Sequence, residues 1–212
     1  MAGVITFLWS VVTLSSFVPA LIIIARNRRH FEFYVGCFQL LAGVMFSASK
    51  ALDNAPLLIQ QHQWHFISDH YTVTYGCLLC VHLMCVQSED TNIMLRYVAF
   101  TAALLAKFRD EWGLPVAQGV VVASFACACV GKYVAIGAPP TLNKRTLAKG
   151  LILLGLSLVL LAAEASGRWS DTVSGAMLGL AHLVAGICAR ILWCAVPCRD
   201  RTKKTDKMPS FV

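Results

Sequence analysis

Apolar residues along this chain come in seven long runs separated by short polar breaks. The runs cover residues 4–25, 31–52, 70–87, 92–107, 114–136, 148–163 and 172–195. A helix needs about 20 residues to cross the hydrocarbon core of a bilayer. No run alternates apolar and polar residues with the period of two expected of a membrane β-barrel strand. The pattern predicts an all-α membrane protein, a seven-transmembrane helix bundle over 1–195 followed by a basic tail, 196–212. Pro19 predicts a kink in the first helix. Residues 53–69 read as a loop, 88–91 as a tight turn, and 137–147 as a loop broken by Pro139-Pro140.

Charge gives the bundle a direction. Residues 1–3 carry no basic n-region, so the first run does not read as a signal peptide. Arg26, Arg28 and Arg29 follow it, which places the N-terminus outside and the first connection in the cytoplasm. With that orientation, fourteen of the 18 Lys and Arg residues fall on the inner side; only Lys50, Lys107, Arg109 and Arg168 fall outside. This is the bias expected of a chain with its N-terminus out and its C-terminus in.

Composition agrees. Hydrophobic residues make up 58% and charged residues 14%, with a mean hydropathy of +0.66, too little charge to cover a soluble domain. The net charge of +7 comes without a basic run interleaved with aromatics, so nucleic acid is not an expected partner. Most of the nine cysteines lie inside the runs and read as small hydrophobes. Cys77 and Cys80 form a C-x-x-C with no second pair at zinc spacing.

Ionisable residues at membrane depth are functional candidates. Glu32, Lys50, Arg96, Lys132, Glu164 and Arg190 lie near the ends of runs, where snorkelling to water is the simpler reading. His82 and His182 lie deeper and read as neutral imidazoles bonded to a neighbouring helix, with a ligand or proton-relay role as the alternative. Familiar seven-helix classes fit poorly. Residues 172–195 offer no lysine for a retinal Schiff base. Gln87-Ser88-Glu89-Asp90 lacks the arginine of a rhodopsin-like receptor. No carboxylate lies near the midplane for a proton-coupled carrier, and no inverted repeat is visible.

Several local features remain. Gly175 and Gly179 form a G-x-x-x-G, which suits close helix packing within the bundle or a homodimer contact. Cys194 and Cys198, beside Arg199, Arg201, Lys203 and Lys204, are candidate S-acylation sites, and the tail would attract anionic membrane lipids. On the outer side Lys107-Phe108-Arg109-Asp110-Glu111-Trp112-Gly113 packs four charges into five residues. With Trp64 and Trp169 it makes a compact candidate patch of Arg109, Asp110, Glu111 and three tryptophans, ordinary headgroup anchoring being the alternative for the aromatics. His62, His65, Asp69 and His70 are a weaker candidate metal group; surface histidines are the better reading.

Thr13-Leu14-Ser15-Ser16-Phe17 with Pro19, the basic Arg26–His30 turn, Tyr75-Gly76 and, above all, Arg109-Asp110-Glu111-Trp112-Gly113 resemble the myomaker family of muscle cell-fusion proteins. The resemblance covers nearly the whole chain. It implies a seven-span plasma-membrane protein, also found in Golgi or secretory membranes, that promotes cell–cell fusion with membrane lipids and a small fusogenic membrane protein as partners and no cofactor. That family is similar to a superfamily of alkaline ceramidases, adiponectin receptors and a GPI-processing lipase. Those proteins hold zinc with a histidine at the end of span two, an Asp in span three and an H-x-x-x-H at the start of span seven. In this chain the corresponding positions are Lys50, Val73 or Thr74, and Asp171–Gly175. A catalytic zinc needs three protein ligands and an open position, so a non-enzymatic protein is the expectation. The alternatives are a zinc-dependent membrane lipid hydrolase and a lipid-binding receptor.

Overall fold

The computed structural model describes residues 2–52, 59–86, 88–110, 116–137, 142–165 and 170–196. All regular structure among them is helical: α1 (Ala2–Leu14), a 3-10 turn (Ser15–Phe17), α2 (Val18–Arg26), α3 (His30–Leu52), α4 (Gln61–Leu83), α5 (Glu89–Asp110), α6 (Val116–Ile136), α7 (Lys144–Ala165) and α8 (Asp171–Ala195). The first three are one interrupted rod, so the described residues make seven rods. The seven apolar runs therefore correspond to seven helical rods, and five of these are long and apolar enough to cross a membrane: the first rod, α3, α6, α7 and α8. α4 and α5 fall short on composition.

The interruption at 15–17 has a local cause. Pro19 has no N–H and cannot donate to the carbonyl of Ser15. Val18 donates to Ser15 instead, in a 3-10 turn. Ser16 Oγ reaches across to the carbonyl of His182 on α8, 3.2 Å away.

α4 begins earlier than the hydropathy suggests. Residues 61–69, expected as loop, are its first turns. Gln60 and Gln63 close a capping box, each side chain bonded to the other's backbone N–H, which satisfies two of the free donors at a helix start. Trp64 faces inward in the first turn. Likewise α5 starts at Glu89, so the 88–91 turn is shorter than expected.

The rods follow one another around the bundle. α7 packs on α8, α8 on the first rod, the first rod on α3, α3 on α4 and α4 on α5; α6 lies against both α4 and α5. α4 touches α3, α5, α6 and α8 and holds the centre. Leu78, Val81, Tyr75, Trp193, Ile24 and Val35 form the core around it. α6 and α7 pack on each other at most marginally, and only 11% of the most apolar stretch of each is buried, against 33–39% for the other three apolar rods.

Gly179 and Gly186 explain the close approach of α8 to the first rod. A methyl at Gly179 would run into the indole of Trp9, and one at Gly186 would lie 2.6 Å from the backbone carbonyl carbon of Ser16. The G-x-x-x-G thus serves packing inside the chain at Gly179, whereas Gly175 has open space beside it.

Candidate functional site

Two polar clusters mark opposite ends of the bundle. The upper end is where α3 gives way to α4 and α5 to α6; the lower end is where α2 gives way to α3 and α4 to α5.

At the upper end Lys107, in the last turn of α5, is 3% exposed. Its ammonium lies 2.6 Å from Asp69 Oδ2 on α4 and over the ring of Phe66 at 5.7 Å. His65, one turn before Asp69, approaches the same oxygen at 3.3 Å and stacks near Phe46 of α3. A cavity of about 380 Å³ opens beside it, lined by Phe46, Gln61, His62 and His65. His70 packs edge-on against Phe100 of α5, ring centroids 4.7 Å apart. The four residues His62, His65, Asp69 and His70 therefore do not converge. Among the described residues no three His, Cys, Asp or Glu side chains gather closely enough to hold a metal.

The six-residue outer patch is only partly brought together. Arg109 is exposed, at the end of α5. Asp110 has a structural role. Its Oδ1 accepts the N–H of Ala117 and its Oδ2 that of Gln118, both at 2.9 Å, capping α6. Trp64, expected at the headgroup level, is instead buried, 5% exposed, because the helix around it starts earlier and turns its indole inward. Glu111, Trp112 and Trp169 lie outside the described residues. So does Cys198, while Cys194 is exposed at the end of α8. Of the positions expected from the resemblance to stand where zinc ligands would be, Lys50 is exposed on the last turn of α3, Thr74 is buried in α4, and Ser174 donates to Glu164 Oε1 at 3.0 Å.

The lower cluster was not legible as a unit. Glu32 is fully buried, not snorkelling. His82 Nε2 lies 2.6 Å from its Oε1, and Arg96 Nε 3.1 Å from the same oxygen. On the other edge of the imidazole, Arg29 bonds to His82 Nδ1, and its guanidinium also lies 5.8 Å over Trp193 of α8. Glu32, Arg96 and His82 are single ionisable residues at the same side of three successive runs, which was the available signal. Nearby, Lys132 of α6 donates to the carbonyls of Met84 and Cys85, and Tyr133 to that of Leu83, closing the end of α4. Helix ends leave such carbonyls unpaired unless a side chain reaches them.

An all-helical bundle in which five rods are long and apolar enough to cross a bilayer is consistent with a helical membrane protein. Residues 2–171 match the family described as "Protein of unknown function (DUF3522)", and the chain belongs to that family. Comparison with curated proteins gave no match.

Proposed function

We propose that this chain is a multipass plasma-membrane protein that promotes fusion between cells without hydrolysing lipid. The reading rests on its resemblance to the myomaker family, and the observation that carries it is how the end of α5 is held. The stretch Arg109–Gly113 holds the sharpest likeness. Its start is fixed by the buried Lys107–Asp69 pair, and Asp110 ties it to the first turn of α6. Arg109 is left exposed beside these contacts.

In this reading all seven rods span the membrane, with the upper end outside and the lower end in the cytoplasm. The charge bias of the sequence supports this direction. α4 and α5 are polar for spanning helices, yet α4 is surrounded by four other helices, and its Asp69 and His82 are paired with Lys107 of α5 and Glu32 of α3. The exposed Cys194 and the basic tail suit S-acylation at the inner leaflet. The exposed Lys50 and the absence of histidine from 171–175 support a non-hydrolytic role.

The test is expression in non-fusing cells, scored for multinucleation and lipid mixing. Fusion that is lost in Arg109→Ala at equal surface level supports the proposal, and no fusion by the unaltered chain overturns it. A lipid-binding receptor or carrier is the second reading, favoured by the apolar stretches of α6 and α7, of which only 11% is buried in the bundle. Lipid co-purifying in stoichiometric amount from a chain silent in the fusion assay would select it. Stoichiometric zinc would select a hydrolase.

A further inference from the structure

α6 and α7 offer the bilayer two faces alike in exposure and unlike in charge. Only 11% of the most apolar stretch of each is buried. The lower end of α6 holds one cation, Lys132, whose ammonium is already bonded to the carbonyls of Met84 and Cys85. The lower end of α7 holds three, Lys144, Arg145 and Lys149, all exposed. The ion pairs among the described residues use His65, His82, Arg96 and Lys107 and none of these three. No carboxylate follows in α7 until Glu164, at its other end. α8 adds a fourth cation. Leu192 packs so closely on Gly150 that a methyl there would collide with it, and Cys188 donates to the Gly150 carbonyl at 3.2 Å. Arg190, between them in the chain, is therefore level with Lys149, and it too is exposed. Directly above this basic collar the surface of α7 turns aliphatic, with Leu151, Ile152, Leu158 and Val159 each more than half exposed.

We propose that the outer face of α7 is a docking surface for an anionic phospholipid. Lys144, Arg145 and Lys149, with Arg190 at the same level, take the headgroup, and the aliphatic wall takes the acyl chains. Two properties select this occupant. Cations without a counter-charge at a bilayer boundary concentrate negative headgroups, by roughly fivefold for each charge. Apolar side chains left bare by the bundle are covered at no cost by hydrocarbon. A soluble anion would answer the charges and leave the wall bare. A zwitterionic lipid would cover the wall and leave the collar without a counter-charge. A lipid with net negative charge does both. The face of α6, whose cation is spent on the end of α4, has no such preference. The collar stands on the bundle and is separate from the basic tail, and the inference holds whether or not the chain fuses cells.

Photolabelling of the full chain reads the preference helix by helix. The chain is reconstituted in phosphatidylcholine vesicles with a trace of photoactivatable phosphatidylserine or, in parallel, photoactivatable phosphatidylcholine. The phosphatidylserine probe is expected to label α7 over α6 by about fivefold or more, and the phosphatidylcholine probe to label the two equally. Raising salt to about 0.5 M should shrink the excess on α7. Lys144→Gln, Arg145→Gln and Lys149→Gln together should abolish it. Arg199→Gln, Arg201→Gln, Lys203→Gln and Lys204→Gln together, in the tail, should leave it intact. Equal labelling of α6 and α7 by the phosphatidylserine probe overturns the proposal. So does an excess that survives the triple variant or disappears with the tail variant. Displacement of the probe by soluble glycerophosphoserine would assign the collar to a free headgroup and overturn its assignment to lipid. Should the triple variant fail to fold, the salt series on the unaltered chain decides, because an excess that salt leaves unchanged rejects the charged collar.

Discussion

Asp110 and Gln118 are joined across the break between α5 and α6: the carboxylate of the first accepts the backbone N–H of the second at 2.9 Å. With Ala117 on its other oxygen, Asp110 fills the place of a helix cap from outside the helix it caps. The charge that looked like part of a recognition surface is already engaged.

Arg109 and Asp110 should therefore separate by experiment. Asp110→Ala removes a cap worth about 0.5–2 kcal/mol and is expected to lower the unfolding temperature in detergent. Arg109→Ala leaves that temperature within error, because the side chain is exposed. A fusion defect in Arg109→Ala without loss of stability is the expected signature of a contact residue.

The Lys107–Asp69 pair should show a strongly non-additive cycle. Asp69→Asn keeps an acceptor but leaves the charge of a buried ammonium uncompensated, at a cost of about 3 kcal/mol or more. Lys107→Met alone leaves a carboxylate that is 31% exposed and still beside His65, so it costs less. The double variant should recover much of the loss from Asp69→Asn, as denaturation in a graded detergent mixture would show.

Gly175 and Gly179 are one turn apart and should respond oppositely. Gly175→Ala meets open space and is expected to be neutral. Gly179→Ala forces Trp9 aside, an overpacking worth about 1–3 kcal/mol. Trp9→Ala combined with Gly179→Ala should relieve that clash. Equal effects of the two glycine substitutions on unfolding temperature would refute this assignment.

Glu32→Ala removes the one acceptor shared by His82 and Arg96 and leaves the half-buried Arg96 guanidinium with fewer partners. A loss of about 3–5 kcal/mol is expected, larger than for Arg190→Ala on the exposed face of α8. Glu32→Gln keeps an acceptor and should lose less.

The rods were legible because apolar length is a one-dimensional signal. Pro19 likewise announced the interruption at 15–17. The start of α4 was hidden because Gln61, His62, Gln63, His65 and Ser68 dilute the hydropathy of its first turns, although Trp64 and Phe66 sit among them. Glu32 and His82 are 50 residues apart, and nothing in either neighbourhood names the other. Glu32, at a run end, invites the reading of snorkelling; only the packing of α3 on α4 shows that it is buried against His82. Asp110 misled in the opposite sense, since a carboxylate in a charged stretch gives no hint that its partners are backbone amides seven and eight residues ahead.

The near absence of contact between α6 and α7 bears on how the bundle comes apart. α7 has one extensive neighbour, α8, whereas α8 is also wedged against the first rod by Gly179 and Gly186. The last hairpin is thus a cooperative unit of its own, seated on the N-terminal helix and not on the rod that precedes it in the chain. Pulled from the C-terminus, α7 and α8 should leave the membrane as one step, with α3 to α6 still assembled behind them.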